Sequence, residues 1–118
     1  MGKFSKEKGK RFERLIASRF REYGYEARRG VQYQGSPDSP DIIGVPHIHA
    51  ECKAVERLSI TDAYDQAKRD APPHKLPVVF HKRNNCPILV TMEFEDWMEL
   101  YREYDASLVL DSVGERKG

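Results

Sequence analysis

Residues 39–55 read SPDIIGVPHIHAECKAV, two short runs rich in Ile, Val and Ala that nonetheless carry Asp41, Glu51 and Lys53. Burying charge in a strand costs free energy unless something compensates it. The break at Val45-Pro46-His47 predicts an antiparallel hairpin of strands 41–45 and 47–55. Side chains alternate along a strand, so Ile48, Ala50, Cys52 and Ala54 face one way and His49, Glu51, Lys53 and Val55 the other. Glu51 and Lys53 therefore share a side, roughly 7 Å apart. With Gly44 paired to Ile48, Asp41 falls opposite Glu51. Two carboxylates facing each other across a ladder destabilise it. A divalent cation between them reverses that sign, and Mg²⁺ is bound through one or two carboxylates with water completing its shell. The plainer reading is a polar strand face on which Lys53 pairs with Glu51 and Asp41 caps its strand.

Upstream, residues 5–23 predict a long amphipathic helix, because Phe12, Leu15, Ile16, Phe20 and Tyr23 recur at three- and four-residue steps. Ser5 stands where an N-cap belongs and Gly24 where a glycine would stop the helix. Glu13 borders the apolar face, whereas Lys10, Arg14 and Arg21 point outward. YEARRGVQY (25–33) predicts a first strand, and QGSPDSP (34–40) a loop that no regular element would tolerate.

Downstream, SITDAYDQAKRDA (59–71) predicts a second helix, with Ser59 as N-cap, Asp62 at capping-box spacing and Pro72-Pro73 as its end. Residues 76–83 and 87–92 predict two further strands around Asn84-Asn85. EFEDWMELYREYDA (93–106) predicts a final helix with Phe94, Trp97, Met98 and Tyr101 on its buried side, Trp97, Met98 and Tyr101 as core or dimer contact, and residues 111–118 are expected to form a flexible tail. The order α-β-β-β-α-β-β-α describes one α/β domain over residues 1–110, a mixed central sheet flanked by helices.

Composition narrows the class. With 39% hydrophobic and 33% charged residues in 118, the chain suits one modest core under an ionic surface. No apolar run approaches the ~20 residues of a membrane span, and the N-terminus lacks a signal-peptide core. A cytoplasmic location is the expectation. Cys52 and Cys86 form no disulfide framework. His47, His49, His74 and His81 match no zinc spacing, and His49, on the Glu51 face, is expected at the rim of a cleft.

The net charge of +1 is unevenly spread. Residues 1–30 hold ten Lys/Arg against four Glu, whereas residues 91–118 hold three basic and eight acidic groups. Such a chain presents a basic end to a polyanion. Lys6, Lys8, Lys10 and Arg11 are the candidate phosphate contacts there. Arg28 and Arg29 alternate across a strand, so only one of them can face a cleft, and Lys68 and Arg69 on the second helix divide similarly.

Pro40-Asp41 followed by Glu51-Cys52-Lys53 resembles the motif of the PD-(D/E)xK nuclease superfamily. The flanks extend the likeness: KGKRFERLIASRF (8–20) with Glu13, GYEARRG (24–30), SPDIIG (39–44), AECKA (50–54) and Gln66 resemble the archaeal-type Holliday junction resolvases and their phage relatives. The similarity runs from residue 8 to about residue 92.

That resemblance implies a restriction-endonuclease-like fold and a metal-dependent endonuclease cutting four-way DNA junctions by paired symmetric nicks. It implies that Asp41 and Glu51 bind Mg²⁺ (or Mn²⁺ in its place) with the main-chain carbonyl of Cys52, and that Glu13 joins them directly or through water. Lys53 would orient or activate the attacking water, Gln66 would support the site, and Ser36 would belong to a DNA-contacting loop. Asp41 fits the metal position better than Asp38, because Ile42-Ile43 continues it into a core strand. The implied partners are branched DNA and a second copy in a homodimer, with no nucleotide cofactor and no membrane; a phage-encoded chain would act in its host's cytoplasm. The alternatives are another nuclease of the superfamily, in restriction, repair or phage DNA processing, and an inactive DNA-binding module of the same fold.

Overall fold

The computed structural model describes residues 2–30 and 39–117. Helix α1 (Gly2–Glu22) leads into β1 (Arg28–Arg29), then β2 (Ile42–Ile43) and β3 (Ile48–Lys53). Helix α2 (Ile60–Asp70), β4 (Leu76–His81), β5 (Leu89–Thr91) and helix α3 (Phe94–Lys117) complete the chain. The five strands lie in one sheet in chain order. β1, β2 and β3 are antiparallel, β3 and β4 are parallel across the α2 crossover, and β5 returns antiparallel on β4. This is the expected mixed α/β architecture, compatible with a restriction-endonuclease-like fold. Among the described residues, no helix is long and apolar enough to cross a membrane.

The hairpin register follows from its turn. Ile42 pairs with Ala50, which sets Asp41 opposite Glu51. Gly44 makes the turn possible: its φ of 87° lies in the left-handed region, and a Cβ there would collide with the Glu26 carbonyl. His47 takes a positive φ of 72° in the same turn.

Period two along β3 and β4 gives the sheet two different faces. Phe12, Ile16 and Ala17 of α1 bury against Ala27, Ile42, Ala50, Val78 and Phe80. On the other face Ala63 and Ala67 of α2 pack on Val79, edged by Leu58, Ile60 and Tyr64. Ser59 caps α2 as expected, its hydroxyl accepting from the Asp62 N–H at 3.4 Å.

Three expectations change. Helix α1 begins at Gly2, so Ser5 lies within it rather than capping it. Among the described residues, regular strand β1 is confined to Arg28–Arg29, which pair with β2, and the backbone of Pro40 passes close to Gly30 just beyond them; residues 31–33 of the expected strand lie outside the described residues. The largest change is in α3. It runs to Lys117, well past Ala106, and Phe94, Trp97 and Tyr101 are exposed while Met98 is half-buried. With α1 on one face of the sheet and α2 on the other, the two core faces formed by the described residues are already occupied before α3 begins.

Candidate active site

The site gathers at the end of the sheet where β3 finishes and β2 begins. Antiparallel pairing places Asp41, the residue before β2, beside the C-terminal half of β3. Its N–H donates to the Ala50 carbonyl at 2.8 Å, and its carbonyl accepts from the Gly30 N–H at 2.8 Å. One carboxylate oxygen, Oδ2, accepts from the Cys52 N–H at 2.7 Å. Asp41 is thus fixed by its backbone on two sides and by its side chain on a third.

Glu51 is 3% exposed and shares a side-chain hydrogen bond with Asp41. Burial pushes the Asp41 carboxyl from its ordinary 3.8 up to about 7, the nearby Glu51 adds to the rise, and Glu13 contributes from α1. The Cys52 amide pulls the other way but does not offset them. A carboxyl so raised marks a place where negative charge has collected without a counter-ion of its own. An incoming divalent cation would find two opposed carboxylates, so the donor set suits a hard, oxygen-seeking metal.

Lys53 lies one alternation further along β3, and its Nζ stands 3.4 Å from Oε1 of Gln66 on α2. Gln66, expected to support the site from the second helix, is thus brought beside Lys53 across the crossover. Behind Glu51, His49 is 1% exposed, and its Nε2 lies 3.2 Å from Glu51 Oε1. This corrects the expectation of a cleft-rim histidine: the side chain is buried, with its ring nitrogen against the Glu51 carboxylate. The i, i+2 spacing on a single strand face was the signal that could have shown it. Burial likewise raises the Cys52 thiol far above its usual range and leaves it unreactive.

Glu13 reaches the same end of the sheet but is held by Arg29, whose Nε donates to Glu13 Oε2 at 2.8 Å. Among the described residues no three His, Cys, Asp or Glu side chains converge in a ready metal cluster. The site is a pair of carboxylates with a third drawn aside by an arginine. Of the two candidate arginines, Arg29 faces the site, and Arg28 is exposed. Arg29, Lys6, Lys10 and Glu13 border an open recess of about 550 Å³ that reaches Asp41.

The basic residues of α1 divide between two grooves. Lys6 and Lys10 flank the Asp41 recess, whereas Lys8 and Arg11 border a second groove completed by Lys82 and Arg83 after β4. Lys82 and Arg83 were missed from the sequence. Parallel pairing of β3 with β4 brings them there, and the Lys82 N–H donates to the Lys53 carbonyl at 3.1 Å. Lys68 is engaged elsewhere: it pairs with Glu93 at 2.8 Å, and Tyr64 also donates to Glu93, while Arg69 stays exposed. Ser36, with the rest of residues 31–38, lies outside the described residues.

The profile of the archaeal Holliday junction resolvase (Hjc) family matches residues 4–63. The chain belongs to that family. The match takes in Glu13, Asp41, Glu51 and Lys53, and ends before Gln66. Comparison with curated proteins and with solved structures returns no significant match. At the level of the family, this resolvase-type chain is a nuclease of DNA recombination that binds branched DNA.

Proposed function

We propose that this member of the Hjc family is a metal-dependent endonuclease that resolves four-way DNA junctions by paired symmetric nicks, acting as a homodimer. The observation that carries the reading is the opposition of Asp41 and Glu51 across the β2–β3 ladder, with Lys53 next on the same face and joined to Gln66. Asp41 and Glu51 would hold Mg²⁺, or Mn²⁺ in its place, helped by the Cys52 carbonyl. When bound, the ion supplies Lewis acidity and a water of lowered pKa.

The protein's own groups do the rest. Lys53 Nζ, steadied by Gln66, carries its positive charge toward the scissile phosphate and can hold a water by hydrogen bonding. His49 keeps the Glu51 carboxylate from turning away. Glu13 holds Arg29 at the recess, where the guanidinium can take a phosphate oxygen in the fork geometry arginine favours. Lys6, Lys10 and the Lys8/Arg11/Lys82/Arg83 groove track the backbones of the arms, contacts that position the duplex without reading its bases.

A synthetic four-way junction set beside linear duplex, flap and single strand tests the reading. The expected result is Mg²⁺-dependent nicks placed symmetrically on two strands of the junction and little cleavage of duplex. Equal cleavage of junction and duplex would leave a general nuclease. Tight junction binding with no cleavage in Mg²⁺ or Mn²⁺ would leave a binding module.

A further inference from the structure

Helix α3 carries five large apolar side chains in a 3-4-3-4 pattern: Phe94, Trp97, Tyr101, Tyr104 and Leu108. They form one stripe, each is between 45% and 65% exposed, and α3 makes no extended contact with another described element of its own chain. Phe94 stacks on Trp97 with ring centroids 6.4 Å apart, and Trp97 stacks on Tyr101 at 5.1 Å, so the first half of the stripe is already ordered as a plate. A lone helix gains little stability in water without a packed face. A sustained 3-4 alternation of apolar residues is the seam of a helix pair.

Charge decides what can cover the stripe. Six of the seven charged residues between positions 93 and 105 are acidic, so the helix repels nucleic acid. At helical spacing, Glu95, Asp96, Glu99 and Glu103 fall on the side away from the stripe, and the positions flanking it include Met98, Leu100, Asp105 and Ser107. Two copies of α3 can therefore meet along their stripes with Glu95, Asp96, Glu99 and Glu103 turned outward and Asp105 at the edge of the contact. With Met98 and Leu100 as flanks, the face offers on the order of 600 Å² per copy, near the ~800 Å² per partner of a stable interface. An isologous contact of this kind closes as a two-fold dimer.

We propose that α3 is the dimerisation element of this chain, pairing with α3 of a second copy through the Phe94–Leu108 stripe. The proposal rests on the homodimeric reading above and names the surface that makes it. α3 leaves the sheet directly after β5, so the pair would tie together two domains, each with its own Asp41/Glu51/Lys53 site.

Sedimentation of the full chain, with Trp97 emission followed on dilution, tests it, because Trp97 is the chain's single tryptophan. The wild-type chain should sediment as a dimer, and its Trp97 emission should shift to the red as dilution separates the copies. Tyr101→Glu and Leu108→Glu should each sediment as monomers with unchanged thermal stability of the sheet domain, since both side chains are solvent-facing within their own chain. Junction cutting should then change from paired to single nicks. A dimer that persists in both variants, with Trp97 emission independent of concentration, would overturn the assignment and leave the resolvase reading standing. A wild-type monomer would overturn it together with the homodimer. A wild-type dimer lost in both variants that cuts no junction in any metal would refute the resolvase reading and leave α3 as the interface.

Discussion

Under α1 the sheet presents Ile42, Ala50, Val78 and Phe80 to Phe12 and Ile16, with no charged group among the buried residues described there. Under α2 it presents Val79 to Ala63 and Ala67, small side chains that fill little volume, and beside them it buries His49 and Glu51. The first face is an ordinary apolar core. The second gives up apolar contact to hold charge in place, and the raised Asp41 carboxyl records the cost. One face therefore supplies the stability that the other gives up for chemistry, and substitutions on the two should separate stability from activity.

The largest separation should come from Asp41→Asn and Glu51→Gln. Either change should lower cleavage by about 10³-fold or more, ~4 kcal/mol of barrier, while junction binding changes only a few-fold. Asparagine at 41 keeps an acceptor for the Cys52 N–H and removes the crowded charge, so the metal-free protein should be at least as stable as wild type at pH 8. Single-turnover cleavage with a parallel gel-shift titration checks it. Near wild-type turnover in either variant would remove these carboxylates from the site.

The opposite behaviour is expected from Phe80→Ala on the α1 face. Phe80 is 8% exposed and meets Phe20 edge-to-face at 5.5 Å. Its truncation should cost roughly 3–5 kcal/mol of stability, measured by urea unfolding, with the cleavage rate per folded molecule unchanged at low temperature. A large rate loss in the folded fraction would mean the two faces are mechanically coupled.

His49 tests whether buried polar contact on the α2 face serves the site. His49→Phe removes the partner of Glu51 Oε1 and should slow cleavage by roughly 10- to 100-fold, the usual range for a group that holds a metal ligand. A merely structural role would lower stability and leave the Mg²⁺ dependence alone. A rise in the Mg²⁺ concentration needed for half-maximal rate, with partial recovery in His49→Gln, is the expected signature.

The pH dependence sharpens the contrast further. Asp41 in the fold binds its proton more tightly than an ordinary aspartate does, with a value of about 7 against 3.8. The stability this contributes is complete below 3.8 and is lost as pH rises through 7. Without metal the protein should lose roughly 2 kcal/mol between pH 5 and pH 7 on this account. Saturating Mg²⁺ should restore it, so the rise in Tm on adding Mg²⁺ should grow with pH across that window. Asp41→Asn should flatten the profile. An equally steep fall in that variant would assign it to other groups.

The hairpin was legible in the sequence because period two and a three-residue turn leave one register, and that register alone set Asp41 against Glu51. The amphipathic face of α1 and the Ser59 cap of α2 were equally local signals. The stripe of α3 stayed open between core and dimer contact because periodicity reports that a stripe must be covered, not by what. Lys82 and Arg83 escaped because their place depends on the parallel β3–β4 pairing, which joins segments distant in sequence. The tie between Glu13 and Arg29 depends in the same way on where α1 crosses the sheet.

The smallest effects should lie in the two basic grooves, where interactions with phosphate add gradually. Removing Lys82 and Arg83 together should weaken junction binding modestly and reduce the log–log salt slope by roughly 0.9 for each duplex phosphate that is no longer neutralised. Lys8→Ala and Arg11→Ala, across the same groove, should act alike. Lys68→Ala serves as the comparison, because its ammonium is already paired with Glu93 at 2.8 Å. Its salt slope should match wild type. If Lys82→Ala/Arg83→Ala also kept the wild-type slope, the second groove would face solvent, and arm binding would be confined to Lys6, Lys10 and Arg29 beside Asp41. If Lys68→Ala lowered the slope, the Glu93 pair would open on binding and α2 would join the DNA surface.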